Sequence, residues 1–284
     1  MHAFADGWAL FRRVIRNRLA LLGLVLVLLN LGMVLFAPMV SPYDPFQMSL
    51  SERHGAPSAK HLLGTDFFGR DILSRIIHGS RISFLLGISV VSVSLAVGTV
   101  LGLVAGYFGG WVDALIMRIT DIFLTFPSIL FAMAIMAVRG AGFSNVVIAL
   151  VITTWTGFTR LVRAEVLSLK SREYIQAAES IGARTGRILF LHLLPNVMAP
   201  IIVQASMGMA APILTEAALS FLGLGMPADV PSWGLMLSVD RDFIDTAWWS
   251  VTFPGLAIAL TVLGFNLLGD GLRDALDPKL RGVS

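Results

Sequence analysis

Apolar residues gather along the chain into six runs long enough to cross a lipid hydrocarbon core, separated by segments where charge, Gly and Pro return. A bilayer core takes about 20 predominantly apolar residues in a helix, so each run predicts a span. The runs cover roughly Leu19 to Ala37, Ile82 to Tyr107, Ile122 to Val138, Asn145 to Arg160, Val197 to Leu214 and Trp248 to Leu268. The fourth is short and carries Thr153, Thr154, Trp155 and Thr156; Pro200 and Pro212 lie in or beside the fifth, and Pro254 in the sixth. Arg12, Arg13, Arg16 and Arg18 precede the first run as in a secretory signal. The run is longer than a signal core and lacks a small-residue cleavage pattern, so it predicts an uncleaved helix. The expectation is an all-α integral membrane protein with six transmembrane helices.

Composition agrees with a membrane chain. Hydrophobic residues make up 56% and charged residues 14%, with a mean hydropathy of +0.81. The net charge of +3 comes without a basic run or basic-aromatic interleaving, which argues against nucleic acid as a partner. The basic residues inform topology instead. With the N-terminus inside, the inner segments hold 14 Lys and Arg and the outer segments 7. That bias predicts that both termini are cytoplasmic. There is no cysteine, which excludes disulfides, thiolate metal sites and cysteine nucleophiles. The histidines His2, His54, His61, His78 and His192 lack metal-ligand spacing, so no metal site is expected.

One polar stretch stands out between the fourth and fifth runs: REYIQAAESIGARTGRILFLHLLPN, residues 172–196. Ser171 is a plausible N-cap for a helix from Arg172 to Ile181, and Gly182 sits where a left-handed residue commonly ends a helix. A second helix is expected from about Arg184 up to Pro195. Ile175, Ala178 and Ile181 recur at helical spacing, with Ala177 nearby, giving a small apolar face suited to a groove on a cytoplasmic partner. A solvated connector resting on lipid headgroups fits the same residues.

The stretch resembles the cytoplasmic "EAA" loop of bacterial ATP-binding-cassette importer permeases, whose pattern falls here on Gln176, Ala177, Ala178, Gly182, His192, Leu194 and Pro195. Gln176 replaces the family's Glu and His192 its Ile. Four further stretches are similar to the C-type permease subunit of the dipeptide, oligopeptide and nickel branch: HLLGTDFFGRDILSRIIHGSR (61–81), GYFGG (106–110), EAALSFLGLG (216–225) and FPGLAIALTVLGFNLLGDGLRDALDPKL (253–280). The resemblance implies a type I importer permease fold in the inner membrane. Its implied organisation is a cytoplasmic segment at 1–18, a first helix with an extracytoplasmic loop at 19–81, a core at 82–270 with a coupling loop at 166–195, and a cytoplasmic tail at 271–284. It further implies that Tyr174, Gln176, Ala177, Ala178, Ile181, Gly182, Leu194 and Pro195 couple the chain to ATPase subunits. The implied partners are a second permease, two ATPase domains and an extracytoplasmic solute-binding protein, with peptides as the expected cargo. No P-loop is present, because Lys60, Lys170 and Lys279 follow Ala59, Leu169 and Pro278. The chain is therefore expected not to be an enzyme, with ATP and Mg bound by its partners.

Other residues are candidates for the translocation path or for packing. Gly98, Gly102, Gly106 and Gly110 share one helix face and predict close helix packing, with direct substrate contact as the alternative. Thr153 and Thr156 either line an aqueous path or bond their own helix carbonyls. Glu216 near the outer end of the fifth span is a functional candidate because burying charge is costly, or else an interfacial carboxylate. Asp121 lies three residues after Arg118, within reach of a local ion pair. In the family, an outer loop such as 225–245 dips toward the path or meets the binding protein, and Trp233 is the candidate contact there; a plain connector is the alternative. Trp248 and Trp249 read as interfacial anchors. The rival functional class is a self-contained secondary carrier, which would place discontinuous helices around charges near mid-membrane.

Overall fold

The structure, a computed structural model, describes residues 14–276. Residues 1–13 and 277–284, which hold most of the two expected terminal segments, lie outside the described residues. The described residues are helical, without a strand. Ten α-helices of eight residues or more follow one another among the described residues: α1 (Arg18–Val40), α2 (Ile72–Phe108), α3 (Gly110–Thr125), α4 (Ser128–Arg139), α5 (Phe143–Lys170), α6 (Glu173–Ser180), α7 (Leu194–Gly208), α8 (Ala210–Phe221), α9 (Trp233–Asp240) and α10 (Trp249–Leu276). Five helical stretches are long and apolar enough to span a membrane, and the bent pair α3–α4 makes a sixth.

The spans differ from the apolar runs where polar residues belong to helix. Span α2 begins ten residues before the apolar run, because Asp71 caps it by accepting from Ser74 N at 2.8 Å. The third run straddles the break of a bent span: α3 and α4 meet at 84° around Pro127, whose missing N–H and fixed φ suit the start of a new helix. Conversely, Pro200 and Pro254 do not end their helices, which continue through them.

Pro38, inside α1, shows how a proline is accommodated. It has no N–H to bond the carbonyl four residues earlier, and Arg81 Nε of α2 donates to that carbonyl, Val34 O, at 2.7 Å. Arg81→Met leaves the carbonyl unpaired and is expected to cost about 1–3 kcal/mol. A thermal melt of the detergent-purified protein should show a loss of several degrees, and Arg81→Lys should recover part of it.

Two helix pairs form the frame. Helix α1 lies along α10 through Gly23, Gly264, Gly271 and Ala20, and the pair is pinned by Asn30 Nδ2 donating to Thr261 Oγ1 at 2.5 Å. Helices α2 and α5 make the most extensive contact in the molecule, with Gly98, Gly102 and Gly106 facing Phe158, Val162 and Val166.

At the end of the bundle opposite α6, residues 41–71 fold with α9 and the start of α10 into a hydrogen-bonded cap. Asp66 accepts from Arg70 Nε at 2.7 Å, and Arg75 Nη1 donates to Pro45 O at 2.9 Å. Asp240 at the end of α9 accepts from Phe67 N at 3.0 Å and pairs with His54 Nε2 at 3.0 Å. Burial raises the Asp240 carboxyl above its ordinary value, opposed by the His54 hydrogen bond and reinforced by the Asp66 charge. The cap buries charged groups that are paired or hydrogen-bonded to backbone, the condition under which buried charge is tolerated.

The tryptophans divide by this cap. Trp248 is half exposed, as an interfacial anchor is, but Trp249 is buried and its Nε1 donates to Thr65 O at 3.3 Å. The expectation of two equivalent anchors is corrected accordingly.

Candidate functional site

The polar stretch after α5 folds as a compact hairpin between two spans. Helix α5 ends at Lys170, whose Nζ donates to Tyr107 O of α2 at 2.6 Å. Ser171 closes α5 instead of capping the next helix: its Oγ donates back to Ser168 O, and Arg172 occupies the N-cap of α6. Gly182 has φ +75°, and the N–H of Ala183 bonds back to Ala178 O at 3.0 Å, a left-handed stop to α6. The chain then turns through Thr185–Arg187 into a π-helical stretch, Ile188–Leu193, that runs on into α7. Pro195 explains the wide turn. It has no N–H to return to Leu191 O, and Leu194 N instead bonds Leu189 O, five residues back.

The face of α6 is the reverse of the expected one in part. Ile175 is fully buried, packed with Val162, Val166, Ile188 and Leu193 of the chain's own core, and Ala178, one turn on, is nearly buried. Ala178 therefore offers no surface to a partner. Tyr174 (44% exposed), Gln176, Ala177 and Ile181 (84% exposed) face outward, and Gly182 and Pro195 are also exposed. Leu194 is half-buried beside the same cluster. Burying Ile175 contributes about 1.5–3 kcal/mol to holding the hairpin on α5 and α7.

Sequence reasoning missed the ties that brace this end. Asp113 of α3 and Arg163 of α5 form a two-point ion pair, with Nη2 to Oδ2 at 2.6 Å and Nε to Oδ1. Asp121 pairs with Arg160 Nη2 of α5 at 2.5 Å, rather than with the local Arg118. Partners 39 and 50 residues away leave no signal in local spacing. A cleft of about 730 Å³ opens beside the hairpin between α5, α7 and α10.

The four path candidates are engaged within the fold. Thr153 Oγ1 donates to Leu150 O at 3.0 Å and Thr156 Oγ1 to Thr153 O at 3.1 Å, both within α5. Glu216 is fully buried in α8; Oε1 accepts from Ser220 Oγ at 2.6 Å, and the same hydroxyl accepts from Met226 N at 3.0 Å. That chain fixes the turn after α8. Trp233 is fully buried, its Nε1 donating to Ile76 O at 3.0 Å, so it anchors α9 on α2 and presents no contact surface here. Among the described residues, no group of three His, Asp or Glu could hold a metal ion.

Known proteins match this architecture over its length. The family model described as binding-protein-dependent transport system inner membrane component matches residues 98–282. The chain belongs to that family. A second model, the N-terminal TM domain of oligopeptide transport permease C, matches residues 8–57 of this inner membrane component. The chain is 50% identical to the dipeptide transport system permease protein DppC of Alkalihalophilus pseudofirmus, over 95% of this chain and 89% of that protein. It is 48% identical to the glutathione transport system permease protein GsiD of Pectobacterium atrosepticum, over 95% and 90%. A crystal structure of an amino acid ABC transporter with histidines shares the fold at a TM-score of 0.54 and 14% identity, over 70% of this chain and 92% of that one. As an inner membrane component of a binding-protein-dependent system, the chain is a multi-pass transport permease. Such systems work with ATPase and solute-binding partners.

Proposed function

We propose that this chain is one of two permease halves in an ATP-driven peptide importer, receiving the ATPase stroke through α6 and passing it to α5 and α7. The observation that carries the reading is the two-sided hairpin. Ile175 and Ala178 lock it into the chain's own core, while Tyr174, Gln176, Ala177 and Ile181 are left exposed on a short helix between two spans. A body held on one side and free on the other transmits a push: displacement of the exposed face moves the ends of α5 and the π-helical entry to α7 together. The helices then rock as packed units, the usual way a small shift becomes a change of access.

The relatives named for dipeptide and glutathione transport, at 50% and 48% identity, support small peptides as the cargo. The excess of Lys and Arg on the α6 side supports a cytoplasmic hairpin and cytoplasmic termini. In this arrangement ATP and Mg belong to two partner ATPase domains and hydrolysis is theirs. A second permease chain completes the path, and the cap of residues 41–71 with α9 faces the solute-binding protein.

Purification of the tagged chain from its native membrane in mild detergent tests the reading. A second permease and ATPases should co-purify, with ATP hydrolysis in the eluate that rises with loaded binding protein. A solitary chain that moves solute down an ion gradient would overturn it.

A further inference from the structure

The cleft beside the hairpin holds two charges that the fold does not use. It is lined by Leu161 and Glu165 of α5, by Asn196, Pro200, Gln204 and Met207 among the α7 residues, and by Arg273 of α10. Neither Glu165 nor Arg273 takes part in any of the ion pairs or hydrogen bonds of the described residues, unlike Arg160 and Arg163 one turn away, which are matched to Asp121 and Asp113. A carboxylate and a guanidinium on separate helices thus face the same space unpaired. Asn196 and Gln204 add amides along the α7 wall; Asn196 Nδ2 is spent on His192 O at 2.6 Å, which leaves its Oδ1 to accept.

We propose that this cleft is a subsite for a zwitterion, taking the ammonium of a short peptide at Glu165 and its carboxylate at Arg273. The assignment deepens the importer reading and rests on it. Ionisable groups on spanning helices face water-filled space or a partner, and these two have no partner among the described residues. Arg is suited to a carboxylate because its planar fork can donate two parallel hydrogen bonds. The α7 amides match the peptide bond, which carries one donor and one acceptor. A cleft of about 730 Å³ lies within the usual range for small-molecule sites and is roomy for two or three residues. An apolar solute would leave both charges unanswered, and a bare cation would meet Arg273, so a ligand with one charge of each sign is the one that satisfies the lining. The shared chemistry, an ammonium beside an anion, is also that of a phosphatidylethanolamine headgroup, and the experiment separates the two.

The test uses the assembled importer with its partners, in phosphatidylcholine nanodiscs without nucleotide or binding protein. Calorimetric titration compares dialanine, N-acetyl-dialanine and dialanine amide. The wild type should prefer dialanine to either blocked form by about tenfold, as expected for one charge-assisted hydrogen bond. Glu165→Gln should abolish the distinction between dialanine and its N-acetyl form while keeping that against the amide; Arg273→Gln should do the reverse. A variant that merely disturbed the fold would weaken all three ligands alike, and that result, or equal binding of all three by the wild type, would overturn the subsite. Phosphatidylethanolamine retained through purification by the wild type and lost from both variants, with no dialanine binding, would assign the cleft to lipid and overturn the peptide assignment. Energised dialanine uptake is measured on the same preparation. Uptake without discrimination by the cleft removes the subsite alone, whereas no peptide uptake at all removes the importer reading beneath it.

Discussion

Ala177→Trp should leave the protein folded and inserted yet cut peptide uptake by tenfold or more, while Ala178→Trp, one residue on, should fail earlier, by destabilising the chain itself. The two alanines are adjacent in α6 but face different ways: Ala177 is exposed, and Ala178 is buried on the side of Ile175, which packs into the chain's own core. An indole at Ala177 displaces only what docks from outside, and loss of one central interface contact of about 1.4 kcal/mol or more is already tenfold in occupancy. An indole at Ala178 must force apart the hairpin and α5, with an overpacking cost of about 1–3 kcal/mol or more. Gly182 extends the test through the backbone. No atom lies within 4 Å of the place where a Cβ would stand, so its φ of +75° is the only obstacle. Gly182→Val should therefore uncouple hydrolysis from uptake more severely than Gly182→Asp, and Gly182→Asn least, following how readily each residue takes the left-handed conformation. Uptake and binding-protein-stimulated ATP hydrolysis, measured on one proteoliposome preparation, separate the cases. Normal stimulation in Ala177→Trp would remove α6 from the coupling role.

The number and order of spans were legible because a helix in lipid must present some twenty apolar residues, and that demand is met within each segment. The start of α2 was hidden. Ser74, Arg75, His78 and Arg81 look extramembrane in sequence, but Arg75 and Arg81 are taken up by carbonyls of Pro45 and Val34, groups that local pattern cannot supply. The bend between α3 and α4 left Pro127 as its only sign, in a stretch that otherwise reads as a continuous apolar run. Within the loop, the Gly182 stop was legible from residue type. The direction of the apolar stripe was not: periodicity reports that Ile175 and Ala178 share a face, and only the tertiary fold decides whether that face meets a partner or the chain's own α5. The same holds for Trp233, whose outer-loop position suggested a contact surface, whereas its indole reaches back to Ile76 O and closes over Gly79.

The largest effect on the protein itself is expected from Gly102→Leu, which should stop the chain from accumulating in the membrane. A Cβ on Gly102 would stand 2.6 Å from Val162 Cβ, 2.8 Å from Thr159 O and 3.0 Å from Arg163 N. Two of those atoms are backbone of α5, so no rotamer change relieves the crowding and the helices must separate. Gly106 meets Val166 Cβ at 2.7 Å, and Gly98 meets Phe158 Cβ and, at 2.8 Å, Trp155 O, so the stripe extends along two turns and a shift at one glycine strains the others. Close approach of backbones is the main source of association between helices in lipid, where no hydrophobic force separates helix from tail. Even Gly102→Ala should cost about 1–3 kcal/mol. Gly157 supplies the control, since it lies on α5 in open space with no atom within 4 Å of a built Cβ. Gly157→Ala should be neutral, or stabilising by up to about 1 kcal/mol through helix propensity. Fluorescence-detected size exclusion of tagged variants, before and after heating, reads both. Equal peaks for Gly102→Leu and the wild type would mean that α2 and α5 are held together elsewhere, through the Lys170–Tyr107 tie at their ends.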